Sequence, residues 1–175
     1  MNDETNYITY YQNPKIDFLL ALYGGKPVPP KHSQFKSIQV YEIDEEGNEK
    51  ILNDFYIKKP GKNAVLEFEE LLKKTASKKF NNENRIKKPY EVEVVISVSV
   101  LEKQFKEVDV DNLAKSVLDG LKGVAFDDDA QVSNLIINKH IHPMKINAVF
   151  IGITKLTESN RGFGGEIKLF GEKRF

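Results

Sequence analysis

The stretch YEVEVVISVSVL, Tyr90 to Leu101, limits the possible folds more than any other part of the chain. Val92, Val94, Ile96, Val98 and Val100 recur at every second position, so one side of an extended segment is continuously apolar. Such a strand requires a sheet, and the sheet requires a cover for that side. The neighbouring sequence supplies both. Val65, Phe68, Leu72 and Ala76 recur at helical spacing within a helix expected over Asn63–Phe80. Leu113, Ala114, Val117, Leu118 and Leu121 do the same in a helix expected over Asn112–Lys122. Ile16–Tyr23, Val132–Lys139 and Lys145–Leu156 read as further strands. Ser37–Ile43 and Lys50–Tyr56 read as a β-hairpin turning at Gly47-Asn48. The expectation is a single α+β domain, a mixed sheet of about four to six strands flanked by two main helices.

The boundaries follow from composition. Residues 1–15 form a polar arm, 16–156 the folded domain, and 157–175 a tail carrying Gly162, Gly164 and Gly165. The start is neither a secretory signal nor a transit peptide, and no apolar run approaches the ~20 residues of a membrane span. With no cysteine, disulfides and thiolate metal sites are excluded. A cytoplasmic location is expected. The formal net charge is zero, which does not suit a simple basic nucleic-acid binder. The charge is unevenly distributed, however. Residues 101–140 carry eight acidic and five basic side chains, a local excess of the kind that a bound cation balances.

That excess is concentrated in DVDNLAKSVLDGLKGVAFDDDAQV, Asp109 to Val132. Asp109 and Asp111 stand at i and i+2 before the second helix, and on an extended stretch alternate side chains share a face. Lys115 lies one helical turn after Asp111. Asp127, Asp128 and Asp129 follow the helix, and a strand–helix–strand path could return them towards Asp109 and Asp111. Clustered carboxylates repel one another unless a positive charge intervenes. Magnesium is suited to the role, because it takes oxygen ligands and leaves positions for water and phosphate. A nearby lysine assists where charge develops on phosphate oxygens. Each residue also has a plainer reading. Asp109 or Asp111 can be a helix N-cap, and Asp127–Asp129 can be a solvated turn. Asp119 reads as an i,i+4 partner of Lys115, and the lysines at 73, 74, 78 and 79 read as a solvated helix face. An EF-hand is excluded, since the glycine at its sixth position and the glutamate at its twelfth are missing. His32, His140 and His142 are too scattered for a zinc site.

The pattern D-x-D-N-x-x-K, then a helix with L-D-G-L, then D-D-x-Q-V resembles the RusA-type family of Holliday-junction resolvases. Asp109, Asp111, Asn112, Lys115, Asp119, Asp128, Asp129 and Gln131 carry the resemblance. It covers about thirty residues strongly and continues to Lys139. It implies a homodimeric endonuclease that cuts branched DNA symmetrically at four-way junctions with magnesium, manganese being a plausible substitute. The family's metal-binding catalytic aspartates match Asp109, Asp111 and Asp129, with Asp128 as an adjacent candidate, and its catalytic lysine matches Lys115. Many members come from phages and prophages. The family's arginines after the proline stretch are replaced here by KHSQFK, where Lys31, Lys36 or His32 could take over phosphate contacts; Lys73, Lys74 and Lys139 are further candidates for DNA contact. A nuclease for flaps or forks, and a non-catalytic DNA-binding protein, are the alternatives.

Overall fold

The computed structural model describes residues 11–31, 35–58 and 63–167. Four strands form a mixed sheet: β1 (Phe18–Tyr23), β4 (Val92–Ser99), β5 (Val132–His140) and β6 (Ala148–Lys155), in the order β1-β6-β4-β5. β6 runs antiparallel to both β1 and β4, while β4 and β5 are parallel. The Tyr90–Leu101 stretch is therefore an interior strand, which explains its near-continuous burial. Val92, Val94, Ile96 and Val98 have no exposed surface and face two helices, α1 (Asn63–Ala76) and α3 (Val110–Leu121). A separate two-stranded sheet is formed by β2 (Phe35–Ile43) and β3 (Glu49–Lys58), the expected hairpin. The α+β architecture with two main helices is as expected.

The parallel β4–β5 pair needs a crossover, and residues 100–131 provide it. The sequence pattern missed its first part, the short helix α2 (Glu102–Glu107), which has no buried residue and hence no apolar periodicity. In α3 the apolar stripe packs inward, with Leu113, Val117 and Leu121 fully buried. Gly120 is part of the L-D-G-L pattern. It lies inside α3, where a Cβ would come within 2.9 Å of Leu72 Cδ2 and 3.4 Å of Glu69 Cα on α1. The missing side chain lets the two helices approach. Gly123, at φ +77°, is the glycine that turns the chain after the helix. Gly120→Ala should therefore destabilise the fold by about 1–2 kcal/mol, with overpacking outweighing the gain in helix propensity. Urea denaturation measures this, and unchanged stability would mean that Leu72 moves aside freely.

On the other face of the sheet, the segment after β6 packs over the Glu93 end of β4. Glu93 on β4 is fully buried, and its carboxylate accepts the amides of Phe163 at 2.7 Å and Gly164 at 2.5 Å. The first part of the glycine-containing tail is thereby fastened to the sheet. The polar arm up to residue 10 and the tail from residue 168 lie outside the described residues.

Candidate active site

Asp109 is the N-cap residue of α3, in an extended conformation, yet its side chain makes no capping hydrogen bond. The helix-cap reading of this aspartate is thus not realised. Asp111 lies in the first turn, on the exposed side. Its carboxylate is 3.3 Å from the ammonium of Lys115, one turn on. The positive end of the helix dipole favours negative charge at this position. Two carboxylates and a lysine are therefore presented to solvent at one end of a helix whose opposite side is anchored in the core.

The three aspartates after α3 have distinct roles. Asp127 is used structurally: one oxygen lies 3.1 Å from Arg85 Nε, the other accepts the amide of Lys88. Asp128 caps a 3₁₀ turn, Asp129–Gln131, accepting the Ala130 amide while Gln131 Oε1 accepts the amides of Asp127 and Asp128. The Ala130 amide, and after it Asp129 and the Lys122 ammonium, hold the Asp128 carboxyl at about 2. Asp129 is the most exposed of the two carboxylates paired with Lys122, at 3.0 Å. Because the Asp128 carboxyl lies below its ordinary value of 3.8, the cap's stabilisation is complete above that value and is lost as pH falls towards about 2. An NMR titration of the Asp128 carboxyl carbon should place its midpoint near 2, and a midpoint near 4 would mean that the cap does not form in solution.

The path expected to return Asp127–Asp129 to Asp109 and Asp111 is not the one the chain takes. From the Asp109 cap to Lys122 the helix rises about 20 Å at about 1.5 Å per residue. The sheet gives the same result independently. Asp129 precedes Val132, at the start of β5. Lys139, near its end, hydrogen-bonds to the Val108 carbonyl beside Asp109. About 23 Å of strand separates Val132 from Lys139. Among the described residues no group of three potential ligands is close enough to hold one ion. The physical reason is the crossover: a parallel connection carries the chain back to the beginning of the next strand, so the two acidic groups fall at opposite ends of α3.

The residues considered for DNA contact divide as well. Lys73 and Lys74 are exposed in the last turn of α1. Lys36 lies on β2 and its side chain, like residue His32, is outside what is described. Lys31 has an internal role instead. Its ammonium bridges Glu69 at 2.7 Å and Asp119 at 2.6 Å, and its amide donates to the Asn112 carbonyl. Burial pushes the Lys31 ammonium down, but its bonds to Asp119 and Glu69 win and the net shift is upward. Asp119 accordingly pairs with Lys31, not with Lys115 as expected. This triad, together with the Ser116 hydroxyl donating to the Pro29 carbonyl, fastens the proline stretch to α3. The sequence contained no periodic signal for it, because its members come from three separate segments. Lys31→Met leaves two partly buried carboxylates unpaired and should cost about 2 kcal/mol, below the 3–5 of a fully buried pair because Asp119 is partly solvated. Denaturant midpoints measure the loss, and no loss would make the triad a surface feature. Lys139 is also committed within the chain, to carbonyl oxygens of Phe105 and Val108.

Exposed carboxylates with a lysine alongside are the groups that hydrolysis of a phosphodiester with a hard metal ion requires. The class that this chemistry suits is the metal-dependent nuclease. The model of the family described as endodeoxyribonuclease RusA matches residues 42–154, from the end of β2 almost to the end of β6. The chain belongs to that family of metal-dependent Holliday-junction endodeoxyribonucleases. Comparison with curated proteins finds no match. No helix among the described residues is long and apolar enough to cross a membrane.

Proposed function

We propose that this protein resolves four-way DNA junctions as a homodimer, by paired symmetric phosphodiester hydrolysis with magnesium. Asp109, Asp111 and Asp129 are the metal ligands and catalytic carboxylates, Asp128 stands beside them, and Lys115 is the catalytic lysine. The observation that carries the reading is the N-cap aspartate that does not cap: Asp109 is exposed without a capping bond, beside the exposed Asp111–Lys115 pair. The all-oxygen donor set of Asp109 and Asp111 fits a hard cation, and two carboxylates are the usual protein contribution to a magnesium site. Magnesium supplies Lewis acidity, neutralising phosphate charge and making water a better nucleophile. The chain's own groups do the remainder. Asp109 and Asp111 fix the reacting position at the α3 N-terminus. Lys115, one turn away and half exposed, can turn from Asp111 to a phosphate oxygen as its charge grows.

The separation of Asp129 from Asp111 supports a composite site. With α3 from two copies running antiparallel across a two-fold axis, the Asp129 end of each would meet the Asp109–Asp111 end of the other. Such a dimer holds two equivalent sites, one for each of two opposing strands. Manganese should substitute for magnesium, since it accepts the same oxygen ligands. Lys73 and Lys74 are proposed to meet the phosphates of a junction arm, with Lys36 as a further candidate. A competition binding series in EDTA tests the substrate. The four-way junction should be bound as one dimer per junction, and in preference to duplex, flap and fork of equal length. Equal affinity for all four would contradict it.

A further inference from the structure

We propose that Lys139 is a positioning residue for the Asp109 carboxylate, acting through the backbone that precedes it; the proposal rests on the reading of Asp109 and Asp111 as metal ligands. The first observation is that a charged residue stands where an apolar one is expected. On β5, Lys139 is the register partner of Val98, as Ile137 is of Ile96. Partners in a parallel pair point to the same side of the sheet, and Val98 and Ile96 have no exposed surface on the helix-facing side. A lysine in this column carries a desolvation cost that an isoleucine would not.

The ammonium explains its presence. It donates to the carbonyl of Phe105 at 2.7 Å and to that of Val108, and it lies 5.0 Å from the centre of the Phe105 ring. The Phe105 carbonyl is one of those left without an intrahelical partner at the end of α2, and Val108 is the residue directly before Asp109. The Val108 side chain packs on the core, and its carbonyl is held by Lys139. Both ends of that residue are fixed, and Asp109 is the next one along. Two of the three ammonium hydrogens are used in this way, so the residue is poorly placed to serve as a phosphate contact. Nine residues separate the end of β4 from Asp109, and six of them form α2, a helix with no buried residue. Lys139 supplies the anchor from the neighbouring strand.

The test is manganese binding to the whole protein without DNA, read by electron paramagnetic resonance. Lys139→Met should weaken it roughly 10- to 100-fold, the range for residues that orient metal ligands, and Lys139→Arg should recover most of the loss. Junction affinity in EDTA should be unchanged for both. A Lys139→Met protein that binds manganese normally, while Asp109→Asn does not, overturns the positioning role alone. Normal manganese binding by Asp109→Asn overturns both this proposal and the reading of the site. A loss of junction affinity in EDTA with normal manganese binding makes Lys139 a DNA contact and overturns the proposal. Should Lys139→Met fail to fold, Lys139→Arg and Lys139→Gln serve: manganese affinity should fall in the order Lys, Arg, Gln, and equal affinity for the three overturns the proposal.

Discussion

Asp111→Asn should abolish cleavage, by about a thousandfold or more, while leaving junction binding intact or slightly stronger. The substitution keeps the size and a hydrogen-bonding oxygen but removes the charge that holds a divalent cation. Loss of metal removes several kcal/mol of transition-state stabilisation, and each 1.4 kcal/mol is about tenfold in rate. Folding should hardly change, since the carboxylate is exposed and its salt bridge to Lys115 is a surface pair. Binding should not fall, because a negative charge near the phosphates is lost. Single-turnover cleavage and gel-shift assays on the same preparation measure both quantities. A parallel loss of binding and cutting in folded protein would contradict the assignment.

Co-expressed Asp111→Asn and Asp129→Asn chains should recover activity that neither has alone. If the site is shared across the dimer, a mixed dimer contains one site with both substitutions and one with neither. That dimer nicks one strand of a junction and cannot complete a pair of cuts. If all ligands came from one chain, both sites of the mixed dimer would carry a substitution and nothing would be cut. The rise from background to single nicking is therefore a large, qualitative effect. The prediction rests on distance: about 20 Å of helix lies between the two acidic groups of one chain, too far for both to bind one magnesium ion.

The parts of the fold legible in the sequence are those with a period. β4 was visible because five alternating apolar residues are all buried, and α1 and α3 because their stripes face the same core. The short helix α2 was not visible, since it buries nothing. The local geometry at Asp111 and Lys115 follows from helical spacing alone, and the structure places them together. The relation of Asp129 to them does not, because it depends on which way the chain crosses between parallel strands. Nor could spacing distinguish the three consecutive aspartates. Asp127 meets Arg85 and Asp128 caps a turn, and these roles are set by a loop some forty residues earlier and by Gln131. Lys31 and Lys139 illustrate the same limit. A lone lysine in sequence reads as a phosphate contact, while in the fold one closes an ion triad and the other binds backbone carbonyls.

The central claim is tested most directly by cleavage of a synthetic four-way junction labelled in turn on each strand, with magnesium or EDTA, beside duplex, flap and fork controls. The account predicts paired nicks at symmetric positions on two opposing strands of the junction, dependent on metal and not seen on the controls. Preferential cutting of flaps or forks, or no metal-dependent cutting of the junction by folded protein, would contradict it.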